Sequence, residues 1–243
     1  MIILIGTGHV FDLSDALIDI FDEDQPDTIC VELDTQRYQQ LLLKQQHPEQ
    51  RKQVQKNTPV VYRMLARFQE NLAGKYGVTP GEEMLTAIQY AQNHQLPLHL
   101  IDMNAQKVFA QMLKDMTVRE KLRLFFSGFA GLFVSQKRVE SELNKIQGDF
   151  TSYIDEIGKK FPTIKHALID KRNQFMFHKL KYLSEDFETI AVVIGDGHIQ
   201  GLKQLLEEND SELKVVRLKD LRKQKRSSVD AATASFSIEY KGM

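Results

Sequence analysis

Cysteine occurs once among the 243 residues, at Cys30 inside the apolar run TICVEL. A lone cysteine excludes a disulfide framework within the chain and a zinc site built from thiolates, and it suits a reducing, cytoplasmic setting. Charge of one sign is also missing. Against 32 basic residues stand 33 acidic ones, a formal charge of −1, so no global field recruits nucleic acid or a membrane surface. Only the run from Arg217 to Arg226 is strongly basic, and it reads as a solvated helix or tail.

No apolar run reaches the roughly 20 residues of a spanning helix. The nearest, LRLFFSGFAGLFV at 122–134, reads instead as a buried helix or an oligomer contact, so no membrane span is expected. Its rings Phe125, Phe126, Phe129 and Phe133 fall at helical spacing, which favours internal packing or a homodimer contact over a lid against substrate. The N-terminus lacks a basic stretch ahead of its apolar residues, so IILIG reads as a first strand rather than a signal peptide. No low-complexity linker divides the chain, and residues 1–243 read as a single domain.

What is present is the grammar of a parallel sheet. IILIG, TICVEL, LHLID, IAVVIG and LKVVRL are short, β-rich and almost continuously apolar, as strands covered on both faces are. Helical patterns follow them. Leu13, Ala16, Leu17, Ile20 and Phe21 recur at helical spacing behind Asp12 and Ser14, either of which could cap. In VTPGEEM, Thr79, Pro80 and Glu82 have the spacing of a capping box. The stretch of about 104–186 has helical periodicity and no strand, far beyond what one crossover requires. The expected fold is therefore α/β: a mostly parallel central sheet flanked by helices, with a large helical insertion or cap before the fourth core strand.

The polar residues that end those strands converge. In an open parallel sheet the carboxyl ends face one crevice where ligands bind. His9 follows the first strand, Glu32 and Asp34 end the second, Asp102 ends the third and His198 follows the fourth. The two histidine turns also match each other. LIGTGHV and VIGDGHI align Ile5 with Ile194, Gly6 with Gly195, Gly8 with Gly197, His9 with His198 and, beyond them, Leu13 with Leu202. The glycines supply positive φ or a close backbone approach, and each imidazole stands at a helix N-terminus. Neither turn carries the third glycine of a dinucleotide fingerprint or the Lys-Ser/Thr of a P-loop.

GTGHV, PDTICVELDTQRYQQL, GEEMLTAIQYA, LIDMNA and VVIGDGHIQGL, in that order, resemble the TraB/PrgY family, which is grouped with the TIKI metalloproteases and, more distantly, with erythromycin-esterase-like and ChaN-like proteins. The resemblance implies an α/β core with helical insertions and a hydrolase site on two Gly-x-x-His turns and a glutamate. It places that site at His9, Glu32, Glu83 and His198, with Arg37 and Arg172 as basic partners. It also brings divalent-metal-dependent peptidases and proteins that limit a peptide pheromone as relatives. Two departures stand out: Asp102-Met103-Asn104 where the family reads Asp-Arg-Asp, and Lys171-Arg172 where it reads Glu-Arg.

Chemically, two neutral imidazoles with carboxylates suit Zn, Mn or Co and would let the metal acidify a bound water. In that reading His9, His198 and Glu32 hold the metal, Glu83 is a better base than Glu82, and Arg37, Asp102 and Arg172 meet a peptide or small ester substrate. Two alternatives stay open. One is a metal-free esterase-like hydrolase, with a histidine as base on water, Glu32 orienting it, and Arg37 or Arg172 holding an anionic group. The other is a crevice that binds a peptide or small ligand without reacting.

Overall fold

In a computed structural model of the chain, residues 1–8, 13–46, 81–131 and 150–221 are described, with the side chains of 44, 46, 125–131 and 150–154 left aside. His9, Asp12, Thr79, Pro80 and Phe133 lie outside the described residues, as do the side chains of Phe125, Phe126 and Phe129.

Five strands form one parallel sheet: β1 (Ile2–Thr7), β2 (Thr28–Val31), β3 (Leu98–Leu100), β4 (Ile190–Gly195) and β5 (Leu213–Val216). These are the five apolar runs read from the sequence. Their order is β3-β2-β4-β1-β5, so β4, late in the chain, inserts between β2 and β1. β1 and β2 are buried at every position, and β4 at all but its last.

Alternate residues of the strands feed two cores. Ile3, Ile5, Ile29, Val31 and Val193 pack against helices α1 (Ser14–Asp24) and α3 (Glu82–Asn93). Ile2, Leu4, Cys30, Val192 and Ile194 pack against α8 (Lys171–Leu183) and α9 (Asp196–Glu207). This period-two division is what a strand covered on both faces requires. Helix α2 (Thr35–Gln46) leaves the end of β2.

The described residues of the insertion before β4 form helices joined by short turns, with no strand among them. It comprises α4 (Ala105–Asp115), α5 (Val118–Gly131), α6 (Phe150–Lys160), α7 (Pro162–Lys165), a π-turn (His166–Asp170) and α8. None of the described helices is long and apolar enough to cross a membrane.

Two local expectations need correction. Helix α3 begins at Glu82 with Gly81 as N-cap at φ 89°, so the helix starts later than a Thr79 capping box requires. Helix α1 takes Leu13 as its N-cap, with no side-chain cap bond and Ser14 already in the first turn. The Ser14 hydroxyl instead accepts from Thr86 of α3 at 3.0 Å, tying the two helices together.

Candidate functional site

The sheet order brings Glu32 and His198 together. Glu32 follows β2, and its N–H continues the ladder to the Val193 carbonyl of β4 at 3.0 Å. β4 ends at Gly195, where α9 begins, and His198 lies in that helix's first turn. Gly195 has φ −59°, so positive φ is not why it is glycine. Its N–H donates to Glu32 Oε2 at 2.6 Å, and an added Cβ would stand 3.2 Å from that oxygen. The close approach is to a carboxylate of the chain itself. Gly6, its counterpart on β1, makes room for Asp196, which Arg217 grips through both Oδ atoms at 2.8 and 2.7 Å.

Helix α8 of the insertion closes the cluster. Arg172 donates through Nε to Asp102 Oδ1 and through Nη2 to Asp102 Oδ2, both at 2.8 Å, and Nη2 also contacts Glu32 Oε1. Its Nη1 donates to the Leu168 carbonyl inside the π-turn at 3.1 Å. Wider turns of this kind place irregular backbone where side chains must be aimed, and Arg172 and Asn173 follow immediately. Asp102 also accepts from its neighbour's N–H, at Met103, at 2.7 Å. Arg37 Nη1 reaches Asp102 and the Glu32 carbonyl, each at 3.4 Å. Two guanidinium groups thus face two carboxylates.

His198 is buried and neutral in this setting. Its Nδ1 lies 2.7 Å from Asn173 Oδ1, and its Nε2 lies 3.5 Å from Glu32 Oε1. Burial lowers its affinity for a proton, Glu32 opposes that, and Arg172 reinforces it, with a net shift below the usual histidine value. For Glu32 burial works against ionisation, yet the Arg172 and Arg37 charges and the Gly195 amide hold the carboxyl well below the usual carboxylate range. Burial also opposes the Arg172 charge, but Glu32 and Asp102 raise its proton affinity further. Burial pushes the Cys30 thiol up, which leaves it inert as a nucleophile.

The structure therefore joins Glu32, Asp102, Arg172, His198 and, at longer range, Arg37. His9 lies outside the described residues. Glu83 is buried in the first turn of α3. Asp34, expected in the crevice, is an N-cap: its Oδ1 accepts from Gln36 and Arg37 N–H at 2.8 and 3.1 Å, and its Oδ2 from Ala105 N–H at 3.1 Å. Asn104, one of the three residues that depart from the family pattern, caps α4 by accepting from the Lys107 N–H at 2.9 Å. Asn173 was missed. It stands beside Arg172 in DKRNQFM, and a polar residue next to a basic site candidate was the only available signal.

Two of the three expected metal ligands, Glu32 and His198, do meet. Both Glu32 oxygens already accept an N–H, and its charge is matched by Arg172, so these two alone do not fit a divalent metal. Among the described residues no three His, Cys, Asp or Glu side chains converge to hold one. A cavity of about 330 Å3 opens beside the cluster, bounded by Thr35, Gln36, Gln39, Asn104 and Lys179, and Asp102 is the residue it shares with the buried network.

An uncharacterized protein of Methanocaldococcus jannaschii is 29% identical over 244 residues, covering 98% of this chain and 62% of its own length. The chain thus spans less than two thirds of that relative. The family model described as TraB/PrgY/gumN matches residues 1–214.

Proposed function

The chain belongs to the TraB/PrgY/gumN family, and from that premise we propose that it hydrolyses peptide or small ester bonds at the carboxyl ends of β2 and β4. One observation carries the reading: a buried imidazole whose Nε2 lies 3.5 Å from a buried glutamate carboxylate that Arg172 and the Gly195 amide hold in place. Perturbed titratable groups with a specific charge partner in or beside a cleft mark candidate functional sites.

With Nδ1–H donated to Asn173, His198 Nε2 keeps its lone pair and acts as general base on a water. Glu32 stabilises the imidazolium that forms. Three of the five N–H donors of Arg172 serve Asp102 and Glu32 and a fourth serves Leu168, so Arg172 builds the site rather than binding substrate. Arg37 has a side chain 30% exposed and, among the described residues, meets Asp102 and the Glu32 carbonyl at 3.4 Å, which suits it to hold a developing oxyanion or an anionic substrate group.

A metal-dependent form of the reading rests on a second observation. Metal-binding imidazoles commonly fix one nitrogen on an oxygen acceptor and present the other, as His198 does. In that form His198 and His9 would hold Mn, Co or Zn, and Glu32 would join them only by releasing the Arg172 or Gly195 donor it now accepts from. The deciding experiment is elemental analysis of the purified protein, followed by turnover of a peptide and ester library with and without chelator. Turnover that survives chelation and disappears in His198→Ala supports the first form. Stoichiometric metal with chelator-sensitive turnover supports the second, and no turnover with any substrate overturns both.

A further inference from the structure

We propose that Asn173 is the positioning residue of His198, holding the Nδ1–H so that Nε2 is the nitrogen left bare toward Glu32. The consequence for turnover rests on the hydrolase reading above; the tautomer itself does not.

The geometry is tight on every side. Asn173 is 3% exposed and His198 4%, so neither can trade its partner for solvent. A buried imidazole N–H left without an acceptor would cost about 1–3 kcal/mol, and the Asn173 oxygen at 2.7 Å meets that need. The neutral carboxamide supplies an acceptor without charge. A carboxylate in its place would favour imidazolium and leave the base already protonated.

Helix α9 is shaped to receive this amide. Gly201 lies three residues beyond His198, on the same helical face. A Cβ at Gly201 would collide with Asn173 Nδ2. Glycine inside a helix costs about 1 kcal/mol relative to alanine. Its place here is explained by the notch it leaves, in which one end of the Asn173 amide seats while the oxygen at the other end meets His198 Nδ1. The opposite orientation would put an NH2 donor against Nδ1 and force the imidazole proton onto Nε2, facing Glu32 Oε1 at 3.5 Å. That tautomer has no free base.

Long-range proton–nitrogen spectra of 15N-histidine-labelled protein read the tautomer directly, with His198 assigned by its loss in His198→Gln. The wild type is expected to show Nδ1 protonated and Nε2 bare. Asn173→Leu should move the proton toward Nε2 and lower turnover about 10- to 100-fold, taking the cost of losing the partner that orients a metal-bound imidazole as the scale. Gly201→Ala, which leaves both residues intact and favours helix, should shift the same signals by displacing the amide. A wild-type Nε2–H tautomer overturns the proposal, as do unchanged signals in both variants. If the tautomer responds but no peptide or ester is ever turned over, the positioning role stands and the hydrolase reading falls.

Discussion

Glu32 accepts from a backbone amide on one oxygen and a guanidinium on the other, so its charge is held by the fold rather than by water. Removing that charge leaves Arg172 with Asp102 alone. Breaking a buried pair from one side costs about 3–5 kcal/mol, so Glu32→Gln should lower stability by that order in urea unfolding and abolish turnover. The same cluster sets a pH dependence with a definite sign. His198 has a folded value below its ordinary 6.5, so the unfolded chain takes up a proton that the folded one refuses as pH falls through 6.5. Glu32, displaced below its ordinary 4.5, adds the same trend below that pH. Stability should therefore fall as pH drops from 6.5, by at most about 1.4 kcal/mol per pH unit per group. Unfolding curves at pH 7.5, 6 and 5 should show a shallower loss in His198→Gln; identical slopes would contradict a neutral buried His198. At Gly6 the argument is steric. Asp196 is clamped by Arg217 and also accepts from the Leu218 N–H at 3.0 Å, so it cannot yield to a new Cβ. Gly6→Ala should thus lower the melting temperature more than Gly195→Ala, whose Cβ would meet Glu32 at a less severe 3.2 Å.

Within the insertion, Glu120 links two helix starts. Its carboxylate accepts from the N–H and hydroxyl of Thr117, capping α5, and from the N–H and hydroxyl of Thr163 at the start of α7, all between 2.9 and 3.0 Å. Burial opposes its ionisation, but these donors lower its value to about 2. Its contribution is complete above the unfolded carboxylate value and is lost as pH falls toward about 2. Glu120→Ala should cost about 1–2 kcal/mol, the scale of a lost cap, and raise hydrogen exchange in α5 and α7 while sparing β1 and β4. Equal exchange across the whole chain would refute a local tie. Elements of this kind differ in how far the sequence reveals them. The strands β1, β2 and β4 were legible because burial on both faces leaves an unbroken apolar run, and the half-buried edge strands β3 and β5 because apolar residues still dominate each short run. Glu32, Asp102 and His198 were legible because they end such runs. The order β3-β2-β4-β1-β5 was not, since nothing local says that β4 enters between β2 and β1. Asn173 stayed hidden for a related reason: its role comes from helices α8 and α9 meeting at Gly201, a contact between segments far apart in the chain. The capping box at Thr79 shows the reverse error, a correct local pattern set aside by a left-handed Gly81.

The molecule as a whole separates a dense sheet-centred core from an insertion that leaves apolar surface uncovered among its described residues. Val118, Leu122 and Leu124 of α5 are exposed at 73%, 52% and 38%, whereas the comparable residues of α8 that face the sheet, Met176 and Leu180, are fully buried. Val118 and Leu122 are one helical turn apart, so they form part of one stripe rather than a scatter. Large apolar residues grouped on one exposed helix mark contact surfaces more often than chance exposure does. The same insertion carries Arg172 and Asn173 into the site, so whatever steadies it also steadies His198. A second copy packed on α5 would link assembly to chemistry without contributing a residue to the cluster. Light scattering of the purified protein should then give the mass of two chains. Leu122→Glu, which sets a charge at a half-exposed position of that stripe, should return one chain and reduce turnover by loosening α8. A wild type with the mass of one chain, together with unchanged turnover in Leu122→Glu, would refute this link.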